Sequence, residues 1–205
     1  MKLEDGLKLE ANRWGRVEIP ECSRDDLPQF FVDRGYKVGA EIGTYKGEFC
    51  EKFCKAGLKM YAIDPWSIFK DYHYDQSQKR QDTLSNIAKK RLAPYDCTII
   101  RKTSMNAMED FEDESLDFVY IDGNHSFRYV AEDICGWTEK VRKGGVISGH
   151  DYARFGLRWN IDVREVVDAY VLPRHINPWY ILGRTRRKRP EEVRDRFRSW
   201  AWFKK

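Results

Sequence analysis

Five short apolar runs alternate with helical stretches along the middle of this chain, and that rhythm constrains its fold more than any other feature. Val38–Ile42 runs into Gly43-Thr44-Tyr45-Lys46-Gly47, and 60–63 stops at Asp64-Pro65. Cys97–Ile100 precedes Thr103-Ser104, Leu116–Ile121 stops at Asp122-Gly123, and 146–148 stops at Gly149-His150-Asp151. Between them, 48–56 (with Gly57 as its C-cap), 75–92 and 129–141 read as helices. Strand–helix–strand repetition of this kind means βαβ units, right-handed crossovers and a parallel sheet with helices on both faces. Such a sheet binds ligands beyond the carboxyl ends of its strands. The unusual polar residues fall at those ends.

Toward the C-terminus, 166–172 and 179–182 read as two further strands joined through Pro173 and Pro178. So short a link suits an antiparallel pair, since a parallel crossover needs a dozen or more residues. The expected architecture is α/β and doubly wound: a mostly parallel seven-stranded sheet with an antiparallel C-terminal strand pair. Residues 1–36 form a helical or irregular lead-in in which Ser23 caps a short helix. Residues 37–183 form the ligand-binding domain, and 184–205 a basic tail.

The tail carries ten Lys/Arg against three Asp/Glu, whereas the whole chain is only +4. The basic character is therefore local. No run approaches 18 uncharged apolar residues, so no membrane span is expected, and the first residues lack a signal-peptide core, which points to the cytoplasm. Five scattered cysteines give no disulfide framework and no recognisable metal spacing, and read as small buried hydrophobes.

Chemistry starts at the first turn. Glycines at 43 and 47 let backbone approach a ligand and turn into a helix N-terminus, with Thr44 and Tyr45 between them as candidate ligand contacts. The spacing is neither that of a dinucleotide fingerprint nor that of a phosphate loop. Glu41 would repel a pyrophosphate but can accept from the ammonium of an amino acid, which favours S-adenosylmethionine (SAM) over NAD or ATP. Asp64, ending the next strand about 20 residues on, stands where an acid holds ribose hydroxyls. Pro65 and Trp66 can wall an adenine ring, and Ser104 can reach its edge.

Four segments, Glu41-x-Gly43-x-x-x-Gly47, Tyr-Ala-Ile-Asp64-Pro, Tyr-Ile-Asp122-Gly-Asn-His125-Ser-Phe and Gly144-Gly-Val-Ile-Ser-Gly-His150-Asp151-Tyr, together resemble class I SAM-dependent methyltransferases. The resemblance is nearest to a small O-methyltransferase-like group and covers residues 37–152. It implies a Rossmann-like fold and assigns SAM to Glu41, Gly43, Thr44, Tyr45, Gly47, Asp64, Pro65, Trp66, Ser104 and Asp122.

Asp122, His125, His150 and Asp151 then fall at the ends of the two strands expected to flank the methyl group. Mixed oxygen and nitrogen donors suit magnesium or a similar divalent cation. By similarity to metal-dependent relatives of the catechol type, Asp122, His150 and Asp151 are the ligands, although a His-Asp pair replaces their Asp-Asn. The expected mechanism has the cation acidify an acceptor hydroxyl and His125 remove its proton beside Asp122.

The expected acceptor is a small hydroxylated molecule. Tyr72, His73, Tyr74, Tyr152 and Phe155 are candidates to line its pocket. The alternatives are an RNA methyltransferase using the basic tail and a non-catalytic SAM- or nucleotide-binding protein. The less favoured reading of the tail is nucleic-acid contact. The favoured one docks Phe197, Trp200 and Trp202 on the domain or on a twin subunit in a homodimer.

Overall fold

The structure is a computed structural model and describes residues 3–4, 7, 15–68, 77–154 and 161–205. Eight strands form one sheet: β1 (Arg16–Ile19), β2 (Val38–Ile42), β3 (Lys59–Ile63), β4 (Cys97–Ile100), β5 (Leu116–Ile121), β6 (Val141–Gly149), β7 (Trp179–Leu182) and β8 (Ser199–Phe203). Among the described residues, six helices join them: α1 (Leu27–Asp33), α2 (Glu48–Lys55), α3 (Gln78–Leu92), α4 (Ser104–Met108), α5 (Phe127–Lys140) and α6 (Val163–Val171).

The order across the sheet is β1-β7-β8-β6-β5-β2-β3-β4. Every pairing is parallel except the two made by β8, which runs against β6 and β7. From β2 the chain winds outward to β3 and β4, then returns to β5 on the other side. The order therefore reverses between β2 and β5, the point at whose carboxyl ends open α/β sheets bind their ligands.

Burial explains why these segments are strands. All six residues of β5 are buried, as a central parallel strand covered on both faces requires. Its one charge, Asp117, accepts from the backbone N–H groups of Lys37 (2.6 Å) and Val38 (2.9 Å) and pairs with Arg142. One face packs under α1 and α2 through Phe30, Phe31, Phe49 and Phe53, with Phe31 4.2 Å from Phe118 between ring centroids. The other packs under α5 and α6 through Ile134, Trp137, Val167 and Tyr170.

Three expectations need correction. The stretch 166–172, read as a strand from its valines, is the helix α6. Its buried residues Val163, Val166, Val167, Tyr170 and Val171 fall at helical spacing, and that period outweighs the strand preference of valine. The C-terminal strands are instead β7 and β8, and β8 comes from the segment expected to be a basic tail. Trp200 and Trp202 stack at 5.0 Å and are buried, which places β8 inside the sheet. The lead-in likewise supplies β1, which raises the strand number from seven to eight. Ser23 does act as a cap, accepting from Asp25 N while Asp26 accepts from Ser23 N, on a single 3-10 turn before α1. Among the described residues, no helix is long and apolar enough to cross a membrane.

Candidate active site

The hydrogen-bond ladders run on past the strand ends and fix the loops that follow. Gly43 N donates to Ile63 O, Asp122 N to Ile42 O, and His150 N to Ile121 O. Gly43 takes φ +90°, and a Cβ there would stand 2.2 Å from the carbonyl oxygen of Asp122. Glycine is thus demanded by the neighbouring loop as well as by any ligand. Gly47, at φ +74°, starts α2.

Glu41 lies beneath this turn, 2% exposed, with Oε2 lacking a hydrogen-bond partner. Burial, and next the charge of Asp122, push its carboxyl well above the ordinary range. A buried carboxyl with an idle oxygen fits an incoming ammonium donor. Asp64 is held from both sides: Oδ2 accepts from Tyr45 N (2.8 Å) and Oδ1 from Trp66 N (2.7 Å). Each oxygen keeps a further lone pair. Burial raises the Asp64 pKa against the pull of those two amides.

Trp66 and Ser104 turn inward. Trp66 is 1% exposed against Leu84 and Ala88 of α3, and its Nε1 donates to Tyr45 O, locking the two loops together. Ser104 donates to the carboxylate of Asp133 and accepts from Trp137 Nε1 (2.8 Å). Both have their polar atoms already engaged. Pro65 is half-buried and its carbonyl accepts from Arg101.

On the other side of the switch point, the structure gathers Asp122, His125, His150 and Asp151. His125 Nε2 stands 3.4 Å from Asp122 Oδ1 and 3.2 Å from Asp151 Oδ2, while His150 Nδ1 stands 3.5 Å from Asp151 Oδ2. Asp151 adopts φ +59°, which turns its side chain back toward the two imidazoles. Burial alone would lower both imidazoles, but the flanking carboxylates win. Asp122 and Asp151 raise His125, and Asp151 with Asp195 lifts His150 to about 9. Burial likewise works to raise Asp122, yet His125, His150 and Arg24 hold it below the usual carboxylate range.

One donor atom from each of Asp122, His150 and Asp151 lies within 4.8 Å of the others. Ligands about 2.1–2.2 Å from one ion stand about 3–4 Å apart, so a modest contraction would complete three sites of a divalent cation.

Two members of this cluster escaped the sequence. Arg24, on the turn after β1, reaches Asp122 at 3.4 Å, and Asp195, between β7 and β8, reaches His150 at 3.5 Å. Tyr152, read as pocket lining, is fully buried and bonds Asp168 (2.8 Å) and Arg16 (3.2 Å). Tyr72, His73, Tyr74 and Phe155 lie outside the described residues.

The basic loop between β7 and β8 rises from the same end of the sheet. Its acids are spent on scaffolding: Glu192 accepts from Lys188 N and Arg189 N, and Asp195 from Phe197 N and Arg198 N. Arg184 and Arg198 pair with Glu18. Among the described residues, Arg186, Arg187, Arg194 and Arg196 stay exposed with no ion pair.

Known proteins share this fold. The family described as a methyltransferase domain matches residues 40–152. The uncharacterized protein y4gI of Sinorhizobium fredii is 30% identical over 122 residues, 54% of this chain. This chain spans only 12% of that relative's length. An O-methyltransferase from Bacillus cereus in complex with SAH superposes with a TM-score of 0.60 at 15% identity, over 99% of this chain and 90% of its own. The O-methyltransferase TomG from Streptomyces achromogenes, in complex with SAM, gives 0.57 at 12% over 89% and 79%. An rRNA methylase from Streptococcus thermophilus gives 0.58 at 13% over 87% and 95%. With a matched span from Ala40 in β2 to Tyr152 after β6, and a strand order that reverses between β2 and β5, this chain belongs to the methyltransferase domain family, on a fold it shares with O-methyltransferases.

Proposed function

We propose that the chain methylates a hydroxyl of a small acceptor, with SAM at the β2–β5 switch point and a divalent cation on Asp122, His150 and Asp151. One observation carries this reading. Glu41, with a buried oxygen lacking a partner, and Asp64, with spare lone pairs, lie near the strand ends where the sheet order reverses, and Asp122, His125, His150 and Asp151 gather at the ends of β5 and β6. A protein that only bound SAM would have no use for that cluster.

SAM supplies a methyl group already activated by its sulfonium, so the protein's work is placement. Asp64 takes the ribose hydroxyls on its free lone pairs, Glu41 takes the amino group, and the turn from Gly43 through Thr44 and Tyr45 to Gly47 leaves room for the methionine portion. The cation would act as a Lewis acid on the acceptor oxygen. His125 accepts the hydroxyl proton. It can do so only as neutral imidazole, whereas Asp122 and Asp151 now favour its protonated form. A cation drawing on those same carboxylates would release His125 to act as base. A cytoplasmic setting accords with five free thiols.

The test is calorimetric titration with SAM, with and without magnesium or manganese, followed by S-adenosylhomocysteine release over a panel of catechols, sugars and flavonoids. His125→Ala should keep SAM affinity and slow turnover by about 10²–10⁴-fold. Full turnover in that variant would remove His125 as the base.

RNA as acceptor is the second reading, favoured by one observation: the β7–β8 loop that carries the exposed arginines reaches His150 through Asp195 at 3.5 Å. Salt-sensitive binding of RNA, lost in an Arg186/Arg187/Arg194/Arg196→Ala variant, would support it, and no binding at low salt would end it.

A further inference from the structure

A second cluster, separate from the Asp122 group but close enough to Glu41 to feel its charge, lies on the sheet face that packs under α2. Cys50 and Cys54 sit one turn apart on the buried side of that helix, and Cys97 opens β4. Spacing in the sequence hid the third member, because 43 residues part it from Cys54. The three sulfurs all lie within 4.8 Å of one another, and those of Cys50 and Cys97 are 3.9 Å apart.

Sulfurs held about 2.3 Å from one ion stand about 3.8–4.0 Å from each other, in tetrahedral or trigonal geometry. The thiols therefore already have the spacing of a sulfur-ligated cation, and they stand far beyond the roughly 2.05 Å of a disulfide. Met60 is the register partner of Cys97 and is fully buried in the same cluster, so a fourth soft sulfur faces the same side of the sheet. Cys97 is half-buried and offers the way in.

We propose that Cys50, Cys54 and Cys97 form a site for a thiophilic d10 cation, of which Cu(I) suits an all-sulfur set best. Soft thiolate and thioether donors select such ions over magnesium or manganese, so this site and the Asp122 cluster would not compete. On binding, three metal–sulfur bonds form, and the protons still on the thiols pass to solvent. The ion would tie α2, which begins at the Gly43–Gly47 turn, to the edge strand β4.

The experiment uses the full chain, reduced and free of oxygen. Cd(II) serves as the spectroscopic probe, and Cu(I) is delivered against a chromogenic chelator. The expected result is one ion per chain by native mass spectrometry, with an ultraviolet sulfur-to-cadmium charge-transfer band. Cys54→Ala and Cys97→Ala should each lose at least tenfold in affinity while keeping wild-type circular dichroism, and Cys135→Ser, at an exposed thiol, should bind as wild type. Should an alanine variant fail to fold, alkylation of the wild-type chain decides: Cd(II) protects Cys97 and leaves Cys135 reactive. A folded chain that shows no such band, a band that survives both alanine variants, or Cys97 alkylated equally with and without Cd(II) would overturn the site. None of these readouts needs SAM, an acceptor or activity.

Discussion

Asp195 Oδ1 lies 3.5 Å from His150 Nε2, joining the loop between β7 and β8 to the end of β6. A residue from a segment that reads as a solvated tail thereby sets the charge of a proposed metal ligand. His150 is lifted to about 9 in the folded chain, so its protonation adds stability that is complete below about 6.5 and fades as pH climbs to 9. Asp195→Asn keeps an oxygen for the Phe197 and Arg198 amides but removes the charge. The His150 midpoint, followed by NMR of the ring proton, should fall by at least about one unit. An unmoved midpoint would mean that the pair does not form in solution.

Asp64 should decide cofactor affinity. In Asp64→Asn the carboxylate that receives Tyr45 N and Trp66 N becomes neutral, and its hydrogen bonds to ribose lose their charge. Charge-assisted bonds contribute about 1.5–3 kcal/mol, so SAM binding should weaken by about 10–100-fold in calorimetry. Equal affinity would contradict the ribose assignment.

Asp133 should make stability fall with pH. Burial raises its carboxyl to about 7, and only Ser104 opposes the shift. Between about 4 and 7 the folded chain then holds a proton that the unfolded chain has released, so stability drops as pH rises through that window. Asp133→Asn keeps an acceptor for Ser104 and carries no charge. It should be more stable than wild type at pH 8 by about 1–3 kcal/mol, with a flatter pH profile in urea titrations. Parallel profiles would place Asp133 among ordinary carboxylates.

Trp202 should anchor the sheet. It is 1% exposed, stacked on Trp200 at 5.0 Å and on Tyr170 at 5.6 Å. Trp202→Ala should cost about 3–5 kcal/mol in denaturant unfolding. A loss below 1 kcal/mol would mean that β8 is peripheral.

What the sequence made legible follows from how local each signal is. Asp64, Asp122 and His150 were readable because each follows an apolar run, and Glu41 because it is a lone acid within one; a parallel sheet brings the carboxyl ends of such runs to one edge. Arg24 and Asp195 were not, because they reach the cluster through a turn and a loop whose positions depend on β1 and β8. Those strands are four and five residues long, and their partners lie far away in sequence. Trp66 and Ser104 were read in the right place, but nothing local tells an aromatic facing a crevice from one buried under α3. Valines misled at α6, where only the spacing of its buried positions carried the helix.

The position of β8 bears on how this protein can come to exist. It is the hydrogen-bonded link between β6 and β7, and β1 in turn leans on β7 across 163 residues of chain, from Arg16 to Trp179. A ribosome that has released everything up to residue 198 has therefore made a five-stranded core and a detached ribbon with no place to attach. Only β8 welds them. Such distant pairings are slow to find, and until then β6 presents a bare edge to any other chain nearby.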